Sequence, residues 1–325
     1  SARRQELRDH LGDLWHENQI FLRTGTSLQP GHLERLDLRR SSAVIVPGAD
    51  FELGGTELTD TRIVKSLLTI RHLLGDLPSN ERPDVVAEVF DSFTVATARS
   101  TLAYQLEIIA GDRIVSRLIS QSVLHRGVAR ILIGLLSHRE GNSLFLRSFP
   151  ELAGCDPRAT PELFPRAVFI GVVRGSERVR RTHLDPREPL ELDAKDLLVF
   201  VAESYDDCSP STEAGAEPAA SLGVATLPRT TQGRRHRVLI VGWSHKVPAL
   251  LQELHDSSSG EVEVTILSRT TLAEREAALG LMGGDGARLQ ARHIEGDHAV
   301  ECNLVAADPG SYDHVLFLAS GGMHS

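Results

Sequence analysis

No stretch of this 325-residue chain holds the roughly 18 consecutive apolar residues that a membrane-spanning helix needs. The charged opening, Ser1 to Arg8, has no apolar segment behind it that would make a signal peptide. Cysteine is scarce. Cys155, Cys208 and Cys302 lie far apart, form no metal-spaced pair, and read as reduced thiols of a cytosolic protein. Positive charge is in deficit: 35 Lys and Arg against 44 Asp and Glu leave a net charge of −9. That argues against a nucleic-acid partner, which would need a basic footprint. Catalytic signatures are missing too. There is no HExxH, no G-x-S-x-G and no Walker A pattern, and the fourteen histidines are scattered. Ser320 precedes Gly321-Gly322, but nothing pairs it with a base. The sequence gives no positive support for an enzyme.

What is present is a strong α/β pattern. From His236 to Leu254 the chain reads HRVLIVGWSHKVPALLQEL. A β-branched run ends at Gly242, and Val247, Leu250, Leu251 and Leu254 then recur at helical spacing. A second strand-like run, Val262 to Leu267, follows. Strand, glycine turn, helix and strand open a doubly wound unit. The length of the chain suits two domains, so something precedes this unit.

The first half alternates in the same way. Ala2 to Trp15 reads as an amphipathic helix, Ile20 to Leu22 as a short strand, and Pro30 to Leu36 as a short helix. Strands are expected at Ala43 to Val46, Asp84 to Val89 and Ile108-Ile109. Helices are expected from about Ile63 to Leu74, Thr94 to Leu106, Asp112 to Leu124 and Val128 to Leu136. Alternation implies a parallel sheet with right-handed crossovers. Yet no glycine-rich turn opens this half, so it reads as starting inside its first α/β unit. The last strand, His314 to Leu318, likewise stops at Gly321-Gly322 without the helix expected to cover it.

Between the halves the pattern changes to strands only: Ser143 to Phe149, Ala167 to Arg174, Arg178 to Arg181 and Leu197 to Ala202. The expected fold class is therefore α/β, with two Rossmann-like parallel sheets and a small β-rich lobe between them. The expected divisions are 1–126 for the first Rossmann-like domain, lacking its opening strand, and 127–204 for the bridging helix and β lobe. A flexible linker follows at 205–235, rich in Ser, Pro, Ala, Glu and Gly, and then the incomplete second Rossmann-like domain at 236–325.

Two places could bind a ligand. The loop after the first strand carries Asp50, Glu52, Glu57 and Asp60 at the carboxyl end of a strand, where α/β sheets take ligands. Asp50, Glu52 and Asp60 are candidate Ca²⁺ ligands, although the spacing fits no EF-hand, and Asp60 or Thr59 equally suits a helix cap. The turn at Gly242, with Ser244 and Arg269, is a poorer candidate for a nucleotide. A dinucleotide fingerprint wants glycine where Ser244 and Val247 stand, and an acid where Ser268 ends the second strand. An architectural turn is the better reading. Arg269 faces either a phosphate or solvent.

Several stretches carry a family resemblance: RTGTSLQPGHLERLDLRRSSAVIVPGAD, DTRIVKSLLTIRHLL, PDVVAEVFD, GVVRG with DAKDLLVFVAES, and RVLIVGWSHKVPALLQEL with its Gly-Trp turn. They resemble the cytosolic tandem RCK region (regulator of K⁺ conductance) of the Castor/Pollux ion channels, bacterial members included, over nearly the whole chain. The resemblance implies a ligand-sensing gating module of a cation channel, at the cytoplasmic face of the membrane. Its partners would be an upstream membrane pore of the same polypeptide and further copies, in a dimer or a ring of four. Plant members respond to Ca²⁺. The apolar faces of the helices at 112–124 and 128–136 are candidate subunit contacts, against the plainer reading that they are core. The alternatives are an NAD-dependent oxidoreductase with a degenerate fingerprint and a soluble TrkA-type subunit of a potassium transporter.

Overall fold

The computed structural model describes residues 2–16, 18–48, 55–102, 106–137, 141–176, 179–184, 191–211, 235–257, 262–280 and 291–318. The chain folds as two compact units, Ser1–Gly111 and Asp112–Ser325.

In the first unit, helices α1 (Ala2–Leu11) and α2 (Pro30–Glu34) precede the strands. The expected strand at Ile20 to Leu22 does not form. Those residues are open coil with Phe21 largely exposed, and no neighbouring strand among the described residues offers them a ladder. Strands β1 (Ala43–Val46), β2 (Asp84–Val89) and β3 (Leu106–Ala110) make a parallel sheet in the order β1-β2-β3. The long helix α3 (Gly55–Leu74) connects the first pair and α4 (Thr94–Thr101) the second. Crossovers that run the same way put both helices on one face. Ile63, Leu67, Ile70 and Leu74 of α3 accordingly pack on Val46, Val85, Ala87 and Val89.

The second unit opens with α5 (Gly111–Leu124) and α6 (Val128–Leu136). A four-stranded antiparallel lobe follows: β4 (Ser143–Ser148), β5 (Val168–Ser176), β6 (Val179–Leu184) and β7 (Leu197–Ala202), in the order β4-β7-β5-β6. One face of it is an aromatic core, where Phe200 meets the rings of Phe149, Phe164 and Phe169. Past β7 the expected linker is at first no linker. Asp207 and Cys208 are buried, the thiol within this core, and residues 212–234 lie outside the described part.

The last part is a parallel sheet of β8 (His236–Val241), β9 (Val262–Ser268), β10 (Ala291–Glu295) and β11 (His314–Phe317), in the order β10-β9-β8-β11. Helices α7 (Lys246–Ser257) and α8 (Leu272–Gly280) carry the first two crossovers and α9 (Glu301–Ala307) the third. The reversal from β10-β9-β8 to β11 sends α9 to the opposite face. Two cores result: α7 on Val238, Ile240 and Ile266, and Ala307 of α9 with Leu239, Val241 and Leu267.

Helix α5 is the less expected element. It continues β3 without a linker, yet its Ile119 and Val123 belong to the α7 core. Ser116, Ser120 and Val123 are among its buried positions, and small residues let two helices approach closely. The Ser116 hydroxyl donates to the Lys246 carbonyl at 3.3 Å, and Arg117 pairs with Glu253 at 2.9 Å. Part of the apolar face considered as a subunit contact is thus core of the second unit. Helix α6 differs. Seven of its nine residues are large aliphatics or alanine, only Arg130 is charged, and not one is buried.

Candidate functional site

The ligand-bearing side of a doubly wound sheet is the carboxyl end of its strands. At that end of the first sheet stand Gly48, Glu88, Phe90, Asp91 and Asp60. The Gly48 N–H donates to Glu88 Oε2 at 2.9 Å, and a Cβ at Gly48 would lie 2.4 Å from the Phe90 ring. Asp60 lies in the first turns of α3 and is buried, 2% exposed. Both its oxygens are engaged: Oδ1 accepts from the Phe90 N–H and Oδ2 from the Asp91 N–H, each at 2.9 Å. Asp60 therefore clasps α3 to the end of β2, and the helix-cap alternative for Thr59 or Asp60 is corrected: α3 begins at Gly55, so both residues lie inside it and neither stands at its start. Asp50 and Glu52 lie outside the described residues, as does the side chain of Glu57. Among the described residues, no three His, Cys, Asp or Glu side chains are grouped to hold a metal ion.

At the same end of the second sheet stand Gly242, Ser244, Arg269 and Asp297. Gly242 has φ +103°, and a Cβ there would sit 2.4 Å from the Leu318 carbonyl oxygen. Its lack of a side chain is required by the pass of the chain leaving β11, whatever binds nearby. Ser244 lies in the turn just before α7: its hydroxyl accepts from the Lys246 N–H at 3.4 Å, and its carbonyl accepts from the Val247 N–H. Val247, where the fingerprint would place its third glycine, is fully buried in the α7 core. Arg269 is exposed and pairs with Asp297 across 3.5 Å. The structure brings Arg269 and Gly242 to one sheet edge but shows no glycine cradle for a pyrophosphate among the described residues.

A third cluster escaped the sequence reading. Arg275 of α8 is 0% exposed. Its Nη2 donates to the Ser268 carbonyl at 2.7 Å and the Ile294 carbonyl at 3.2 Å, tying β9 to β10. Nε and Nη1 have no partner among the described residues. Burial lowers its pKa, opposed by the charge of Glu295. His293 of β10 has an Nδ1 likewise unpartnered, and its pKa is lowered first by burial and then by the charge of Arg275, against Glu276. The available signal was helical spacing. Arg275 falls on the stripe of Leu272 and Leu279, so a cation sits where the period demands an apolar residue.

Two parallel sheets, with a β lobe between them in chain order, compose an RCK-type gating-ring fold. The solved structure of the human SLO3 gating ring matches it with a TM-score of 0.63 at 15% identity, covering 91% of this chain and 59% of that one. The relatives narrow the class. Residues 112–217 match the family described as Castor and Pollux, part of voltage-gated ion channel. Ion channel POLLUX of Lotus japonicus is 23% identical over 305 residues, 92% of this chain and 32% of that protein. Ion channel CASTOR of the same plant is 22% identical over 305 residues, 92% of this chain and 34% of that protein. The resemblance to the Castor/Pollux ion channels is borne out along nearly the whole chain. The chain spans about a third of the length of these relatives. No helix among the described residues is long and apolar enough to cross a membrane.

Proposed function

We propose that this chain is the ligand-sensing gating module of a cation channel, working at the cytoplasmic face of the membrane with a pore carried elsewhere in the same polypeptide. The observation that carries this reading is the similarity to POLLUX and CASTOR over 92% of the chain, on a fold shared with a gating ring. The module's work is mechanical, not catalytic. A ligand that binds one shape of the module better than another shifts its population, by no more than the difference in affinity. Copies assemble so that the shift acts on one pore, and the unburied apolar helix α6 is part of the contact between them.

Two ligand classes suit the two sheet edges. Ca²⁺ would engage the acidic loop Asp50, Glu52 and Asp60. A nucleotide would lie over Gly242 and Ser244 with Arg269 near its phosphate. Thermal-shift titration with Ca²⁺, NAD, ATP and ADP separates them, because a ligand at a hundredfold its dissociation constant adds about 2.7 kcal/mol. The same ligand, applied to the cytosolic side of the full-length protein in a planar bilayer, should change the open fraction of a cation current. NAD-dependent turnover of a hydroxy substrate would overturn the proposal in favour of an oxidoreductase.

A further inference from the structure

Arg275 heads the fully buried side chains by size. A guanidinium keeps its proton in a protein, so its charge must be met where it lies. What meets it here is neutral. Nη2 donates to the Ser268 and Ile294 carbonyls, while the buried Nε and Nη1 find no acceptor among the described residues. No carboxylate among those residues pairs with it. Glu295 contributes opposite charge, but its Oε1 is turned to the Leu272 N–H at 2.6 Å. A second orphaned group stands beside it. Ala291 of β10 and Leu279 of α8 both pack into the α7 core, so alternation puts His293 on the face of β10 that α8 covers. Arg275 is one turn before Leu279, and it bonds the carbonyl of Ile294, the residue after His293. The buried His293 Nδ1, a donor in one neutral tautomer and in the charged ring, also has no partner among the described residues.

We infer that Arg275 and His293 bind a small monovalent anion, with chloride the occupant, between α8 and the β9-β10 side of the second sheet. The site uses none of the residues considered for Ca²⁺ or a nucleotide, and it stands whether or not the module gates a pore. Three features select the occupant. Arg275 is a single uncompensated positive charge, which one monovalent anion completes; phosphate or sulfate would bring more charge and more oxygens than these donors meet. The orphaned atoms are shut off from solvent, so the occupant is small. They are N–H donors without a fixed meeting point, and a monatomic anion accepts from any direction. Binding removes the cost of a buried charge left unpaired. It also fastens α8 to the sheet, because Arg275 already ties β9 to β10, the strand that ends the order β10-β9-β8-β11.

Thermal melting of the 325-residue chain tests this, with sodium chloride replaced stepwise by sodium gluconate at constant ionic strength so that screening does not change. A ligand that binds only the folded chain raises its melting temperature with concentration. The wild type should therefore melt several degrees higher in about 200 mM chloride than in gluconate. Arg275→Met should lose that difference. His293→Ala should need at least about fivefold more chloride for the same rise. Arg292→Met, at an exposed arginine of the same strand, should keep the wild-type response and so separates the site from a general effect of chloride on surface arginines. Equal melting of the wild type in the two salts overturns the inference, as does a chloride response that Arg275→Met retains. Should Arg275→Met fail to fold, wild-type crystals soaked in sodium bromide decide. An anomalous peak in contact with the Arg275 guanidinium supports the site, and bromide found only elsewhere overturns it.

Discussion

Asp60 offers a direct way to separate a structural carboxylate from a ligand-binding one. In Asp60→Ala the N–H groups of Phe90 and Asp91 lose the acceptors that now hold them at 2.9 Å. Hydrogen bonds to a charged group contribute about 1.5 to 3 kcal/mol each, and a buried donor left unpaired costs about 1 to 3. The two donors share one carboxylate, so the loss should be about 3 kcal/mol, not the sum of two full bonds. Asp60→Asn keeps one acceptor oxygen and brings an NH₂ against the other N–H, so it should lose nearly as much. Urea unfolding followed by circular dichroism, in EDTA and again with Ca²⁺, reads both variants. A structural clasp predicts the full loss in EDTA. If Asp60→Ala costs less than about 1 kcal/mol in EDTA but abolishes stabilisation by Ca²⁺, the clasp is unimportant and Asp60 serves a metal.

Two further outcomes test the second sheet. Gly242→Ala places a methyl group 2.4 Å from the Leu318 carbonyl at φ +103°, and should cost at least about 2 kcal/mol in the same unfolding assay. Unchanged stability would mean that the β11 connection moves away freely. His293 has a folded-state pKa below its ordinary 6.5, so the unfolded chain takes up its proton first as pH falls. Its contribution to stability is fully present above pH 6.5 and is lost as pH falls from there through the folded value. Replacing His293 with Gln should flatten that part of the stability profile, and Arg275→Met should shrink it by removing one of its two causes. An identical profile in both variants would refute the assignment.

The strands and most helices were legible because period and punctuation are local. The run Arg237 to Val241 ending at Gly242 needs no tertiary context to read as a strand and turn, and the structure places β8 at His236–Val241. Ile20 to Leu22 failed for the converse reason. A strand needs a neighbour to bond with, and an apolar triplet cannot say whether one is there. The clasp by Asp60 was not legible because its two donors lie 30 and 31 residues away. Arg275 was visible only as a fault in a helical stripe.

By itself the sequence determined the α/β class, the β lobe between two parallel units, and the likeness to the Castor/Pollux channels, since all three rest on periodicity or on matched residues. Only the tertiary structure decided that α5 serves the core of the second sheet, that Gly242 is held by the backbone near Leu318, and that Val168 and Leu184 of the β lobe stay exposed. Each depends on which residues meet across long separations, and pairing of that kind leaves no local trace in the chain.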